Sequence, residues 1–112
     1  DLKDFERIRK ATPHLADTRP GGMYVMVDLD KVGGVPVILK SLLKKGLLNG
    51  NTMTVTGKTM KQNLEGIGTS NSEPVIYSCE KPLHPEGTLK ILGGSLAPGS
   101  CNKNSRIRKN KV

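Results

Sequence analysis

Glycine and proline interrupt this chain about every sixth residue, with 13 Gly and 7 Pro among 112. That spacing limits each helix or strand to a short run, because both residues break regular backbone. Between the breaks the core has to be aliphatic. The chain holds no Trp, two Tyr and one Phe, so Leu, Ile, Val and Met must fill it, and the length suits at most one small domain. The longest apolar stretch, residues 35–48, is interrupted by Lys40, Lys44 and Lys45, well short of the roughly 20 apolar residues a membrane-spanning helix needs. No basic-then-apolar leader opens the chain, so neither a membrane protein nor a secreted precursor is expected. The start at Asp1, without Met, leaves room for a longer parent.

Local patterns follow the breaks. Leu2, Phe5 and Ile8 fall three apart, which predicts an amphipathic helix over 1–11, with Asp1 and Asp4 at its positive end and Pro13 closing it. Arg19-Pro20-Gly21-Gly22 is a turn. The apolar run 23–27 suits a buried strand or a helix start. After Gly33-Gly34, residues Val35, Ile38, Leu39, Leu42 and Leu43 mark one helical face, with Lys44 and Lys45 at the C-terminal end and Gly46 as cap. The alternation at 52–56 predicts a short strand, and Met60 and Leu64 a helical turn. Beyond Glu65 the pattern shifts to short extended pieces, at 74–77 and at 88–92, the latter a strand ended by Gly93-Gly94. Residues 66–74 read as a flexible connector.

The formal charge is +8, but it is unevenly spread. Residues 1–98 carry 13 Lys and Arg against 10 Asp and Glu, whereas 99–112 carry five basic residues and no acid. The excess therefore sits on a short polar tail, expected to be solvated, since it cannot fold alone. It lacks the aromatic residues that single-strand binders stack on bases, so no specific nucleic-acid partner is expected.

Each candidate for chemistry is set against a plainer role. Gly57-Lys58-Thr59 resembles the end of a phosphate loop, but that loop requires a glycine where Thr52 stands, so a tight turn is favoured. Gly33-Gly34 could hold an anion at a helix N-terminus, although Pro36 removes a donor. Asp28 and Asp30 could bind a divalent cation or act as a base, and capping or solvation is the plainer role. His14 and His84 sit beside prolines and read as loop histidines. Cys79 and Cys101 have no C-x-x-C spacing and no histidine at zinc-finger spacing, so free thiols in a reducing compartment are expected. The residues alone predict a small mixed α/β piece without a self-contained active site.

From Pro13 to Leu64 the sequence resembles the dihydroxy-acid dehydratase family, whose members carry P-x-[IL]-A-x-x-x-P-[SG]-G-x-Y-x-M-x-D-[LF]-x-x-[AV]-G-G-[IV]-P. Pro13, Leu15, Ala16, Pro20, Gly22, Tyr24, Met26, Asp28, Leu29, Gly33, Gly34, Val35 and Pro36 fall in place. Gly46-Leu47-Leu48 and the T-V-T-G-K-T string at 54–59 follow. Leu2-Lys3-Asp4-Phe5 resembles the lead-in, and residues 87–98 resemble G-G-L-x-I-L-x-G-N-L-A-P, with Thr88 for Gly and Ser95 for Asn. The resemblance implies a cytoplasmic hydro-lyase of branched-chain amino-acid (valine, isoleucine) biosynthesis that turns 2,3-dihydroxy carboxylic acids into 2-oxo acids. Its members use an iron–sulfur cluster and Mg²⁺, and the parent is expected to be a homo-oligomer. Sugar-acid (phosphogluconate-type) dehydratases of the same superfamily are the closest alternative. A free-standing basic protein that binds an acidic partner through its tail is the alternative outside the family.

The same resemblance implies an organisation. Residues 1–65 would end the α/β N-terminal domain, 66–74 would be the connector, and 75–98 would open a swivelling β/β/α domain, incomplete on its own. The family's cluster and Mg²⁺ motifs are missing, and Cys79 and Cys101 fall on no cluster-ligand position, so no catalytic, cofactor-binding or metal residue is expected in this segment. Beyond Pro98 the family continues E-G-A-V-x-K-x-A-G, where this chain has Gly99-Ser100-Cys101-Asn102-Lys103-Asn104-Ser105-Arg106. One permitted back-translation, GGA AGC TGT AAT AAA AAT AGC AGG, read one base later gives Glu-Ala-Val-Ile-Lys-Ile-Ala-Gly. The tail 99–112 is accordingly expected to be frameshifted.

Overall fold

The apolar spacing of Leu2, Phe5 and Ile8 forms helix α1 (Leu2–Ala11), started where the Asp1 carboxylate accepts the Lys3 N–H at 3.2 Å. Thr12 is already extended ahead of Pro13. These positions come from a computed structural model, which describes residues 1–68, 74–92, 94–95 and 101–104. Residues 13–18 then run extended and are held on one edge by a distant segment. Tyr77 N–H donates to Leu15 O at 2.8 Å and Asp17 N–H to Val75 O at 2.9 Å. The expected turn at Arg19-Pro20-Gly21-Gly22 closes with Gly22 N–H on Thr18 O and Arg19 N–H on Tyr24 O, both at 2.8 Å. A side chain on Gly22 would collide with the Asp17 backbone.

Of the two forms open to the apolar run 23–27, the helix start is the one adopted, as α2 (Met26–Lys31). Asp28 decides this: its carboxylate accepts the Val25 N–H at 3.0 Å and caps the helix there. The buried strand is excluded, because Met23, Met26 and Val27 are 63–72% exposed and only Leu29 of α2 is buried. Gly33 adopts the left-handed conformation (φ 112°) and starts α3 (Gly34–Lys44). The helix ends as expected. Gly46 is left-handed (φ 76°), with its N–H on Leu43 O and the Leu47 N–H on Leu42 O, the paired bonds of a Schellman cap. The expected apolar face is shifted. Val37 is the buried apolar position of α3, with Ile38 and Leu42 beside it, whereas Val35 is 49% exposed.

The strand expected at 52–56 does not form. The chain reverses at once: Thr54 N–H donates to Lys58 O, and Gly57 N–H to Thr54 O, with Gly57 left-handed (φ 79°). The Thr54, Thr56 and Asn63 side chains bond one another across this loop, and Val55 points fully into solvent. Alternation here follows from a polar loop network rather than from a pleated face. Thr59 and Gln62 then form a reciprocal capping box on α4 (Met60–Leu64), whose Leu64 is buried.

Leu15, Leu29, Val37, Val75 and Ile76 make the core, lined further by Tyr24, Val32, Ile38, Leu42, Ile67 and Cys79. Val75 and Ile76, on the far side of the 66–74 stretch, thus share one core with residues 15–42. Residues 69–73 of that stretch, and Gly93, lie outside the described residues. The strand expected at 88–92 forms as β1 (Leu89–Leu92) and packs against α1. It pairs antiparallel with β2 (Cys101–Asn104), Leu89 opposite Asn104. In this pairing the 101–104 backbone meets the open edge of N–H and C=O groups that β1 offers.

Candidate functional site

The sequence candidates are dispersed by the fold. Asp28 is spent on the α2 cap, and Asp30 is exposed beside Gly34. Gly57-Lys58-Thr59 is the tight turn described above. At Gly33-Gly34 the backbone needs left-handed dihedrals at both positions (φ 112° and 71°) to join α2 to α3, and the Val37 side chain fills the space a Gly33 Cβ would take. Cys79 is half-buried, and its Sγ donates to Ser41 O at 3.7 Å. Burial pushes its thiol pKa up, and the neighbouring Glu80 adds to the shift, so the thiolate that would ligate a metal is disfavoured.

Two constellations assembled by the fold were not visible in sequence spacing. In the first, Arg9, only 8% exposed, is gripped from two sides. It binds Glu6 on its own helix and, at 2.7 Å, Glu86 from the loop before β1, with Gly87 O as a further acceptor at 3.4 Å. The hydrogen bond from Arg9 holds the Glu6 carboxyl below the usual glutamate value, and the Arg9 charge adds to this. The two carboxylates raise the already high pKa of the guanidinium. A Cβ on Gly87 would lie 3.1 Å from Arg9 Cγ, so Arg9 would have to give way by a few tenths of an ångström. In the second, His14 and His84 face each other with ring centroids 5.3 Å apart. A groove of about 530 Å³ also runs along the 19–22 turn, lined by Asp17, Arg19, Pro20, Gly22, Met23 and Leu83.

Among the described residues no set of three or more His, Cys, Asp or Glu side chains is placed to hold a metal ion. With the Cys79 thiol tied to a backbone carbonyl and its ionisation disfavoured, the described residues do not fit an iron–sulfur cluster or a carboxylate Mg²⁺ site.

The residues of the Pro13–Pro36 motif, by contrast, have clear work in the fold. Leu15 and Leu29 are core, Tyr24 packs on it, Gly22 and Gly33 permit close backbone turns, and Asp28 caps a helix. Such a pattern defines a scaffold, and comparison with known proteins says which. Residues 1–63 match the model of the dihydroxy-acid/6-phosphogluconate dehydratase N-terminal family. A dihydroxy-acid dehydratase of Saccharolobus islandicus is 56% identical over 99 residues, covering 87% of this chain. That of Sulfolobus acidocaldarius is 52% identical over 99 residues, covering 87%. That of Renibacterium salmoninarum is 50% identical over 101 residues, covering 89%. The chain belongs to the dihydroxy-acid/6-phosphogluconate dehydratase family. It spans 18% of the length of the curated relatives it matches.

Proposed function

We propose that this chain is a scaffold segment of a dihydroxy-acid dehydratase, a cytoplasmic hydro-lyase of branched-chain amino-acid synthesis. The reaction removes the proton from C2 of a 2,3-dihydroxy carboxylic acid and expels the C3 hydroxyl as water, and the resulting enol tautomerises to the 2-oxo acid. The observation that carries the reading is 50–56% identity, over 87–89% of the chain, to proteins of that name. In this reading the iron–sulfur cluster, the Mg²⁺ and the base belong to other parts of a homo-oligomeric parent, and residues 1–98 position them indirectly. On the same reading residues 1–65 close the N-terminal domain, Val75 and Ile76 pack into that same core after the 66–74 connector, and the swivelling domain opens beyond them, within 77–98. No helix among the described residues is long and apolar enough to cross a membrane.

A segment exchange tests it. Residues 1–98, substituted for the matching stretch of the Saccharolobus islandicus enzyme, should leave a chimaera that forms a 2-oxo acid from a 2,3-dihydroxy branched-chain acid. A chimaera that folds and loads its cluster but turns over only 6-phosphogluconate would transfer the segment to the sugar-acid branch named in the same family model. One that loads its cluster and dehydrates neither would overturn the proposal.

The proposal includes a frameshift after Pro98, argued from the sequence of residues 99–106. Sequencing the gene beyond the Pro98 codon should show the E-A-V-x-K-x-A-G continuation one base out of frame. A coding sequence that cannot be read that way would remove this part of the proposal.

A further inference from the structure

The link between α3 and α4 carries the dipeptide Asn49-Gly50. We propose that Asn49 is a site of spontaneous covalent modification, at which the Gly50 backbone nitrogen attacks the side-chain amide and the residue ends as aspartate or isoaspartate. Gly50 N gives its proton to solvent and its lone pair forms a bond to Asn49 Cγ. The Cγ–Nδ2 bond breaks, and ammonia leaves with a proton from water. A five-membered succinimide remains. Water then opens this ring, at the Cγ–N bond to give aspartate or at the backbone C–N bond to give isoaspartate. Nothing is oxidised or reduced, and water is the sole co-reactant.

The loop confines the reacting groups. Asn49 is exposed, and its Oδ1 accepts the Asn51 N–H at 3.0 Å. A side chain that bonds the N–H two residues ahead closes an Asx turn and curls back over the intervening peptide, whose nitrogen is that of Gly50. Carbon and nucleophile are held in one turn, which lowers the entropic part of the barrier. The same bond sets a donor on Oδ1, the oxygen that gains negative charge as the carbon becomes tetrahedral. Gly50 N–H donates to no other group among the described residues, so no protein hydrogen bond has to break before it reacts.

Packing keeps the second residue a glycine. A Cβ on Gly50 would lie 2.9 Å from Leu43 Cδ1 and 3.0 Å from Lys61 Cβ, where α3 and α4 approach. The Leu43 methyl can turn aside, but Lys61 Cβ is carried on the α4 backbone. The side chain that would cover the peptide nitrogen is therefore disfavoured. The product also has a structural consequence. Lys61 N–H donates to Gly50 O and Met60 N–H to Thr52 O, both at 2.9 Å, and these bonds start α4 beside the end of α3. Isoaspartate lengthens the backbone by one carbon just ahead of them, so α4 loosens as Asn49 converts. The site does not depend on the dehydratase assignment.

The test is incubation of the full chain at pH 7 and pH 9, in buffer and in guanidinium chloride, followed by fragmentation mass spectrometry of the peptide that contains Asn49. The mass gain of an amide-to-carboxyl exchange should localise to Asn49 and leave Asn51, which β-branched Thr52 follows, unchanged. It should accumulate faster at pH 9, where more of the Gly50 nitrogen is deprotonated, and no more slowly in buffer than in denaturant. Asn49→Gln, which could close only a six-membered ring, should lose the gain. Amide exchange in α4 should accelerate as the product accumulates. An Asn49 that stays intact in buffer, whether or not it converts in denaturant, or a gain that appears first at Asn51, would overturn the proposal. The mass spectra are read on the unaltered chain, so they decide the question even where the variant does not fold.

Discussion

At the scale of single residues, the positions that matter most are those where backbone freedom or apolar volume has no substitute. Gly33 and Gly46 are both left-handed, but only at Gly33 does another side chain, that of Val37, occupy the Cβ position. Gly46→Ala should cost about 1 kcal/mol from dihedral strain alone, and Gly33→Ala clearly more. Urea unfolding of the two variants, compared with the parent chain, checks the ranking. The same measurement separates Leu29 from Val55. Leu29→Ala leaves a hole in a core of few members and should cost about 2–5 kcal/mol, whereas the fully solvated Val55 should tolerate Ser within about 0.5 kcal/mol. Cys79 offers a chemical check. Its folded pKa is raised above the ordinary thiol value by burial. In a Cys101→Ser background, alkylation at pH 8 should therefore be slower in the folded chain than in urea. The contribution of the buried thiol to stability is present below the ordinary thiol pKa and is lost as pH rises through the raised one.

Among the described residues, the grip of Glu6 and Glu86 on Arg9 fastens α1 to the loop before β1. Because the folded pKa of Glu6 is depressed, its contribution is fully present above the ordinary glutamate value and is lost as pH falls through the depressed one. Amide exchange in α1 should accelerate in that acid window, and Glu86→Gln should accelerate it already at neutral pH. Unchanged exchange in α1 for both would show that its apolar packing on β1 suffices. That packing is incomplete. Leu2, Phe5, Ile8 and Leu89 remain 43–61% exposed around an apolar groove of about 370 Å³.

For the whole molecule, six buried apolar side chains among the described residues and a Cα radius of gyration of 15.8 Å, against about 13 Å for a compact domain of this length, describe a loosely closed body. Its exposed apolar side chains, with Met23, Met26 and Val27 added to the groove above, are what a segment spanning 18% of its relatives would leave uncovered when alone. The full chain should unfold in a broad transition below the roughly 45–65 °C typical of mesophilic domains. A sharp, cooperative calorimetric transition above that range would show that the segment folds independently.

What the sequence determined by itself was local and punctuated. The ends of α1 and α3, the Pro20-Gly21-Gly22 turn, the Gly57 turn and the β1 strand were legible because capping, left-handed glycine and proline act within a few residues. The family was legible for a related reason: its motif is a series of such fixed backbone positions. Tertiary structure decided what depends on distant partners. It placed Val37 rather than Val35 toward the core and gave 101–104 a strand to pair with. It also brought Glu86 to Arg9 and His84 to His14. No spacing rule reports these pairings, because each is made by the hydrogen-bonding of 13–18 with 75–84 and of β1 with its neighbours. Those contacts form only once the chain between them has closed.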